Sequence, residues 1–250
     1  MANITVSTDI DAFLRGADNA AARDSLGAIN YPYTTDFQSG VVQIRNLTFT
    51  GVNTFPDTGA LSSAYIGSNV TQIGPSTFNN CIALQSVTIP DSVTSIGDAA
   101  FYNCRSLASI NIPDGITSIG EGTFSFCIDL TNINIPDSVT SIGREAFRGC
   151  GRLTSVTSFG GTETIGKFAF NNCQDLTEIS LPDSVTSLGD FAFQNCITLA
   201  TINCLATTAP TLPTVGTSVF LGVSATTIQV PVGATGYGTT YGGLTVSYVL

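Results

Sequence analysis

The sequence predicts a repeat solenoid in which 23-residue units stack into a curved parallel sheet that is capped at both ends. Two observations carry this prediction. Polar and apolar residues alternate within each unit, as in a strand with one buried face, and three residue types recur every 23 positions without an insertion. A fixed period of this length is typical of units that bury their apolar faces only against their neighbours. The recurring residues are cysteine (Cys81, Cys104, Cys127, Cys150, Cys173, Cys196), phenylalanine (Phe78, Phe101, Phe124, Phe147, Phe170, Phe193) and glycine (Gly74, Gly97, Gly120, Gly143, Gly166, Gly189).

Each unit is expected to contain a short strand pair and one helical turn. Residues 86–89 form the first strand, with Val87 and Ile89 directed inward. A Pro-Asp turn follows, and residues 93–96 form the second strand. The segment 98–104 is predicted to be the helical turn, with its second alanine, its phenylalanine and its cysteine packed in the core.

The ends of the chain depart from the repeat, which divides the chain into four parts. Residues 1–30 show the apolar spacing of two short helices and are assigned to an N-terminal helical attachment segment. Residues 31–46 are rich in residues that favour loops and are assigned to a linker. The solenoid covers residues 47–204 and starts with a degenerate capping repeat, and residues 205–250 form a C-terminal degenerate repeat and cap.

Charge and composition exclude several classes of function. The net charge of −10 repels phosphate backbones, so no nucleic-acid partner is expected. No apolar run reaches the length of a membrane-spanning helix, and the first residues lack the features of a secretion signal. Because the chain has no histidine and its carboxylates recur at turn positions, we expect no enzyme activity, no catalytic residues and no cofactor.

The six cysteines of the column are expected to be reduced, buried thiols that act as small apolar side chains. The alternative is disulfide pairing between neighbouring units, which strict bond geometry disfavours. The chain has neither a histidine nor a C-x-x-C pair, so no metal site is expected.

Charged residues form two columns for which we expect structural roles. The aspartates of the Pro-Asp turns are expected to cap their own turns, with a calcium-binding ladder as the alternative. In the second column, Glu121 is predicted beside Arg144 and Lys167 beside Asp190, in ion pairs that help to fix the register between units. The turn aspartates are Asp91, Asp114, Asp137 and Asp183.

One unit carries Phe159 where its neighbours have the turn proline. The ring is either an exposed contact for a partner or a product of repeat drift that folds over the core. We expect the second, because single apolar residues at a surface are ordinary and need no binding role.

The candidate ligand-binding site is the outward face of the first strands. In successive units this face presents short side chains, almost all neutral, that can form hydrogen bonds in a flat array. The alternative is a solvated sheet surface without a ligand, and the array lacks the exposed Trp or Tyr that often anchors a partner. The twelve residues are Ser86, Thr88, Ser109, Asn111, Asn132, Asn134, Ser155, Thr157, Glu178, Ser180, Thr201 and Asn203.

The repeat resembles a known family. Residues 107–112, Leu-Ala-Ser-Ile-Asn-Ile, are similar to the leucine-rich repeat core Leu-x-x-Leu-x-Leu. The wider pattern, Ile-Pro-Asp-Ser-Val-Thr-Ser-Ile-Gly followed by Ala-Phe, Cys and Leu, resembles the BspA-like leucine-rich repeats over about residues 47–231. This resemblance implies a bacterial or protist cell-surface adhesin.

A second resemblance concerns the N-terminal segment. Residues 13–27 are similar to a short module near the start of bacteriophage tail-fibre and related virion proteins, although the same segment could simply cap the solenoid. The favoured prediction is therefore a non-enzymatic virion subunit, a fibre or decoration protein, that adheres to a host surface protein or glycan and contacts other virion proteins. The alternative is an extracellular, cell-surface adhesin, and a homo-oligomer is left open for both. The candidate attachment residues are Phe13, Leu14, Arg23 and Leu26.

Overall fold

The computed structural model describes residues 33–36, 41–44, 61–68, 70–157, 159–210 and 218–249. The helices predicted within residues 1–30 lie outside the described residues. The same holds for the four candidate attachment residues Phe13, Leu14, Arg23 and Leu26.

Short strands, most of them parallel, build the described part of the chain. They are β1 (Tyr33–Asp36), β2 (Val41–Ile44), β3 (Ser63–Ile66), β4 (Gln72–Ile73), β5 (Ser86–Thr88), β6 (Ser95–Ile96), β7 (Ser118–Ile119), β8 (Asn132–Asn134), β9 (Ser141–Ile142), β10 (Ser155–Thr157), β11 (Thr164–Ile165), β12 (Glu178–Leu181), β13 (Ser187–Leu188), β14 (Thr201–Cys204), β15 (Thr227–Pro231), β16 (Thr240–Tyr241) and β17 (Leu244–Val249).

The two strands of each unit lie in two separate sets. The first strands pair in parallel from unit to unit: β3 with β5, β8 with β10, β12 with β14, and then β14 with β15 and β15 with β17. In the unit that lies between β5 and β8, Asn111 forms a parallel bridge with Asn134 of β8. The second strands form their own parallel ladders, β4–β6 and β7–β9–β11–β13. The predicted repeat solenoid with parallel sheets is confirmed.

Part of the predicted linker is paired with the sheet. β1 and β2 are antiparallel to each other, and β2 pairs in parallel with β3, with Val41 opposite Ser63. The sequence of β2, Val-Val-Gln-Ile, is rich in β-branched residues that favour extended backbone. This local preference outweighs the loop-forming residues around it, so strands interrupt the linker assigned to residues 31–46.

The predicted helical turn is wrong, since the described residues of this segment contain no helix in any unit. Within residues 98–104, alternate backbone N–H groups donate to carbonyls of the next unit, and those between them donate three residues back. Ala99 and Asn103 have positive φ angles of 54° and 59°. An α-helix needs negative φ and bonds to the fourth residue back. The backbone here is satisfied instead by the neighbouring unit.

A sequence signal was available for one of these two left-handed positions, that of Asn103. The column that contains Asn103 has positive φ in each described unit, and all but one of its members are Asn or Gly. These are the residues that adopt the left-handed conformation at least cost. Its members are Asn80, Asn103, Phe126, Gly149, Asn172, Asn195 and Gly222.

The core is a stack of phenylalanine rings along the solenoid axis. Each ring is buried and nearly parallel to the next, with centroids 5.1 to 5.5 Å apart from Phe78 through Phe220. The inward residues of the first strands, such as Ile133 and Ile135, are also buried. Apolar burial is the main favourable term in folding, so this continuous core holds the units together.

The glycine column allows adjacent units to approach closely at one corner. A Cβ atom added to Gly189 would lie 2.3 Å from the backbone nitrogen of Lys167 and 2.4 Å from the carbonyl carbon of Gly166. Such contacts cannot be relieved by turning a side chain. A residue larger than glycine would have to push two units apart.

We therefore expect Gly189→Ala to destabilise the protein toward the upper end of the about 1 to 3 kcal/mol typical of overpacking. Gly151→Ala is the matched control, because a Cβ atom at Gly151 would meet nothing within 4 Å. Urea melts of both variants measure the difference. Equal melting midpoints for the two variants would contradict close packing at Gly189.

Candidate functional site

The structure places the twelve predicted residues on one face of the first-strand sheet. None of them is buried, whereas the residues between them in the strands, such as Val87, Ile133 and Ile202, are buried. Strand pairing aligns equivalent residues of successive units: Ser155 lies opposite Asn132, and Thr201 lies opposite Glu178. The array therefore aligns equivalent side chains of successive units, and ligand binding by it stays a prediction.

Side chains of this strand face also bond to each other across units. The Thr157 hydroxyl donates to Asn134 Oδ1 over 3.2 Å. Asn203 Nδ2 donates to Ser180 Oγ over 3.1 Å. Because such bonds limit side-chain rotation, they lower the conformational entropy that a ligand would have to remove on binding.

Sequence reasoning missed an aromatic residue on the strand face. Tyr65 lies opposite Thr88 in the β3–β5 pair and is 51% exposed. Gln229 extends the same face at the other end, opposite Asn203. The signal for Tyr65 was its position 23 residues before Thr88, in the capping repeat to which the predicted face was not extended. The face therefore has an exposed ring, which the twelve predicted residues lack.

Phe159 lies over the core and is 5% exposed. Its position is the one that proline occupies in neighbouring units, and its ring joins the same apolar cluster as the other inward residues. The expectation that it folds over the core is confirmed, and it offers no exposed contact for a partner.

The predicted ion pairs are present at the edge of the turn segment. Arg144 lies 3.8 Å from Glu121, and Lys167 lies 3.7 Å from Asp190. A role for Glu145 in these ion pairs was not predicted. Its carboxylate accepts hydrogen bonds from Arg144 at 2.9 Å and from Arg148 at 3.0 Å. Partial burial opposes the ionisation of Glu145, but these two hydrogen bonds outweigh it and lower its pKa.

An aromatic band accompanies these charges. Phe126, Phe168 and Phe191 all have positive φ angles of 58° to 60°, which is costly for a bulky residue. Phe168 and Phe191 stack at 5.1 Å. The Arg148 guanidinium lies 5.7 Å from the Phe126 ring centroid, and the Lys167 ammonium lies 5.2 Å from that of Phe168. Because cations cover the ring faces and carboxylates pair with the cations, we assign this band to contacts between units.

One turn aspartate, Asp137, bonds to the neighbouring unit. Asp137 Oδ1 accepts the backbone N–H of Gly160 in the next unit over 3.0 Å. The prediction that each aspartate caps its own turn therefore needs correction at Asp137, whose carboxylate bonds to the backbone of the neighbouring unit. Among the described residues, no group of three or more His, Cys, Asp or Glu side chains is arranged to hold a metal ion.

All seven cysteines are free and buried. Each thiol from Cys104 to Cys196 donates to the backbone carbonyl of the phenylalanine 26 residues earlier, as Cys127 does to Phe101 over 3.2 Å. Burial raises the pKa of the Cys81 and Cys150 thiols to about 12. The column therefore holds neutral thiols that also serve as hydrogen-bond donors between units.

Of the residues that the structure describes, none belongs to a helix long and apolar enough to cross a membrane.

Comparison with known proteins identifies the repeat. A family model described as "BspA type Leucine rich repeat region (6 copies)" matches residues 48–173 and 163–240. No curated protein matches the chain.

Two solved structures resemble this one over most of its length. A leucine-rich repeat protein of T. pallidum is 29% identical, with a TM-score of 0.55, over 68% of this chain and 87% of that chain. A leucine rich cell surface protein of Faecalibacterium prausnitzii is 26% identical, with a TM-score of 0.56, over 80% of this chain and 62% of that chain. The chain thus spans less than two thirds of the Faecalibacterium protein.

Proposed function

Because the chain belongs to the BspA type leucine-rich repeat family, we propose that it is a non-enzymatic, cell-surface binding protein. The strand face is the binding site in this proposal, and a protein or a glycan of a host surface is the ligand. The observation that carries the proposal is the outward array of twelve exposed or half-exposed side chains in consecutive units.

Location at a surface is supported by a relative. The Faecalibacterium protein, 26% identical to this chain, is described as a cell surface protein. A low content of charged residues, 10%, also suits a surface that contacts polar neutral ligands. The adhesin alternative is therefore better supported than the virion function.

The chemistry of the strand face favours a polar ligand that lies across several units. Ser, Thr and Asn offer both donors and acceptors, and they do so at the spacing of parallel strands, about 4.8 Å. The exposed ring of Tyr65 can supply an apolar contact at one end of the array. A sugar chain or an extended protein segment provides matching hydrogen-bonding groups at intervals.

The virion function rests on residues 13–27, which lie outside the described residues. Attachment through Phe13, Leu14, Arg23 and Leu26 to other virion proteins stays a prediction. Detection of the chain in purified phage particles would support it over the adhesin.

The proposal is tested by screening the protein against a glycan array and an array of extracellular host proteins. We expect Asn134→Arg and Ser180→Arg, both on the strand face, to weaken binding to any hit about tenfold or more, equivalent to ~1.4 kcal/mol. Ser118→Arg is the matched control, since Ser118 is exposed but belongs to the second-strand set. Thermal melts of the three variants verify that each is folded.

Two outcomes would count against the strand face. Binding that survives both strand-face substitutions and disappears in Ser118→Arg would place the site on the second strands. An absence of binding on both arrays, with folded protein, would remove the support for host adhesion.

A further inference from the structure

The C-terminal part of the chain carries no charged side chain. Asp190 is the last charged residue, and positions 191–250 contain no Asp, Glu, Lys or Arg. The net charge of −10 therefore arises entirely from the preceding residues. Two copies of such an acidic protein repel each other over most of their surfaces, but they can approach through this end without contact between charged side chains.

The same part exposes large apolar side chains. Of the nine exposed large hydrophobic residues in the described part of the chain, six lie beyond Asp190. Val232 is 62% exposed and Tyr248 is 50% exposed. The N–H of Val232 donates to the carbonyl of Val249, so these residues meet at the last strand pair. An exposed apolar cluster without charges is typical of an interaction surface.

The last strand also has an open edge. β17 pairs with β15 along residues 245–249, but on its other side β16 reaches only Leu244 and Thr245. Beyond these, the Val246 N–H donates to the Thr239 carbonyl. The backbone groups of alternate residues point to the same side of a strand, so those of Tyr248 point away from β15. Within residues 61–249, apart from the undescribed gaps, no strand pairs with Tyr248 on that side.

We propose that two copies of the chain associate through this C-terminal end, with the β17 strands of the two copies paired antiparallel about a two-fold axis. An antiparallel edge is self-complementary, because each strand supplies the donors and acceptors that its copy needs. Natural sheet edges avoid such pairing with charges, prolines or bulges. The sequence of β17, Leu-Thr-Val-Ser-Tyr-Val, contains no charge and no proline. This association is independent of any ligand on the strand face.

The test is the mass of the full chain in solution, measured by light scattering and sedimentation over a wide range of protein concentrations. The wild type should be a dimer at high concentration. Val232→Lys and Tyr248→Lys should each weaken association about tenfold or more, because two added cations face each other across the axis. Ile82→Lys is the control: Ile82 is 47% exposed but far from the C-terminal end in the chain. It should leave the dimer intact.

Hydrogen exchange distinguishes strand pairing from a purely apolar contact. The Tyr248 amide should exchange slowly in the wild-type dimer and rapidly in Val232→Lys. Thermal melts identify a variant that fails to fold. A wild type that is monomeric at every concentration would overturn the proposal, as would a dimer that Ile82→Lys disrupts and the two C-terminal variants do not. A dimer in which the Tyr248 amide exchanges rapidly would overturn the strand pairing.

Discussion

Replacing Phe124 with alanine should lower the free energy of unfolding by about 3 to 5 kcal/mol. The Phe124 ring is fully buried, and its centroid lies 5.4 Å from those of Phe101 and Phe147 on either side. Alanine would leave a cavity between two rings that the surrounding units cannot close, because the backbone ladders between units fix their spacing. Urea melts give both the midpoint and the slope that this comparison needs.

Ser109→Ala is the control for Phe124→Ala. Ser109 is exposed on the strand face, so its substitution should change stability by no more than about 0.5 kcal/mol. Phe126→Asn tests the same residue type at a different position: Phe126 is half-buried and has positive φ, and equivalent positions carry Asn. Phe126→Asn should lower the free energy of unfolding by much less than Phe124→Ala does. If Ser109→Ala unfolded the protein as readily as Phe124→Ala, the inward and outward assignment would be wrong.

The core could be predicted from the sequence because a fixed period aligns chemically equivalent residues. Once Phe101 and Phe124 are 23 residues apart in identical surroundings, stacking of the units brings their rings together. The strand face followed from the same period and the alternation in β5 and β8. No long-range contact had to be guessed, since each unit contacts only its neighbours.

The turn segment was harder to predict, because its composition is compatible with two backbone conformations. Residues 98–104 contain good helix formers, and a helix would satisfy their backbone locally. In the solenoid the adjacent unit offers carbonyls in register, as Thr123 does for the Phe101 N–H at 2.9 Å. Tertiary pairing therefore overrides helix propensity. The decisive signal was the Asn and Gly column, which indicates left-handed backbone rather than helix.

The candidate site was predictable in outline but not at its ends. Degenerate repeats conceal equivalent residues, so Tyr65 was missed although it lies opposite Thr88. Contacts between side chains of different columns, such as those of Arg148 with Glu145 and Phe126, depend on rotamers that a repeat period does not specify. The open edge of β17 depends on how far β16 extends, which composition alone does not reveal.

Raising the pH from 7 to 10 should destabilise the protein by several kcal/mol. Burial raises the pKa of six thiols above their ordinary value of 9.0, to about 12 for Cys81 and Cys150. Between pH 9 and about 12, the unfolded chain therefore releases protons that the folded chain retains. Stability falls as pH rises through this window, by up to about 1.4 kcal/mol per pH unit for each thiol. At pH 10 a thiol whose folded pKa is about 12, as for Cys81 and Cys150, lowers the stability by about 1.4 kcal/mol, and the other buried thiols act in the same direction.

The slope of stability against pH is the measurement that isolates the thiols. Urea melts between pH 7 and pH 10 give the free energy of unfolding at each pH. Above pH 9 this free energy should fall less steeply in Cys127→Ala than in the wild type, by about 1.4 kcal/mol per pH unit. Phe124→Ala is the control, because it removes stability at every pH without removing a titrating group.

At pH 8 the native thiols should also react slowly with a thiol reagent and completely after denaturation, since neutral buried thiols are poor nucleophiles. A protein equally stable at pH 7 and pH 10, or one whose thiols react rapidly when native, would show that the cysteine column is open to solvent.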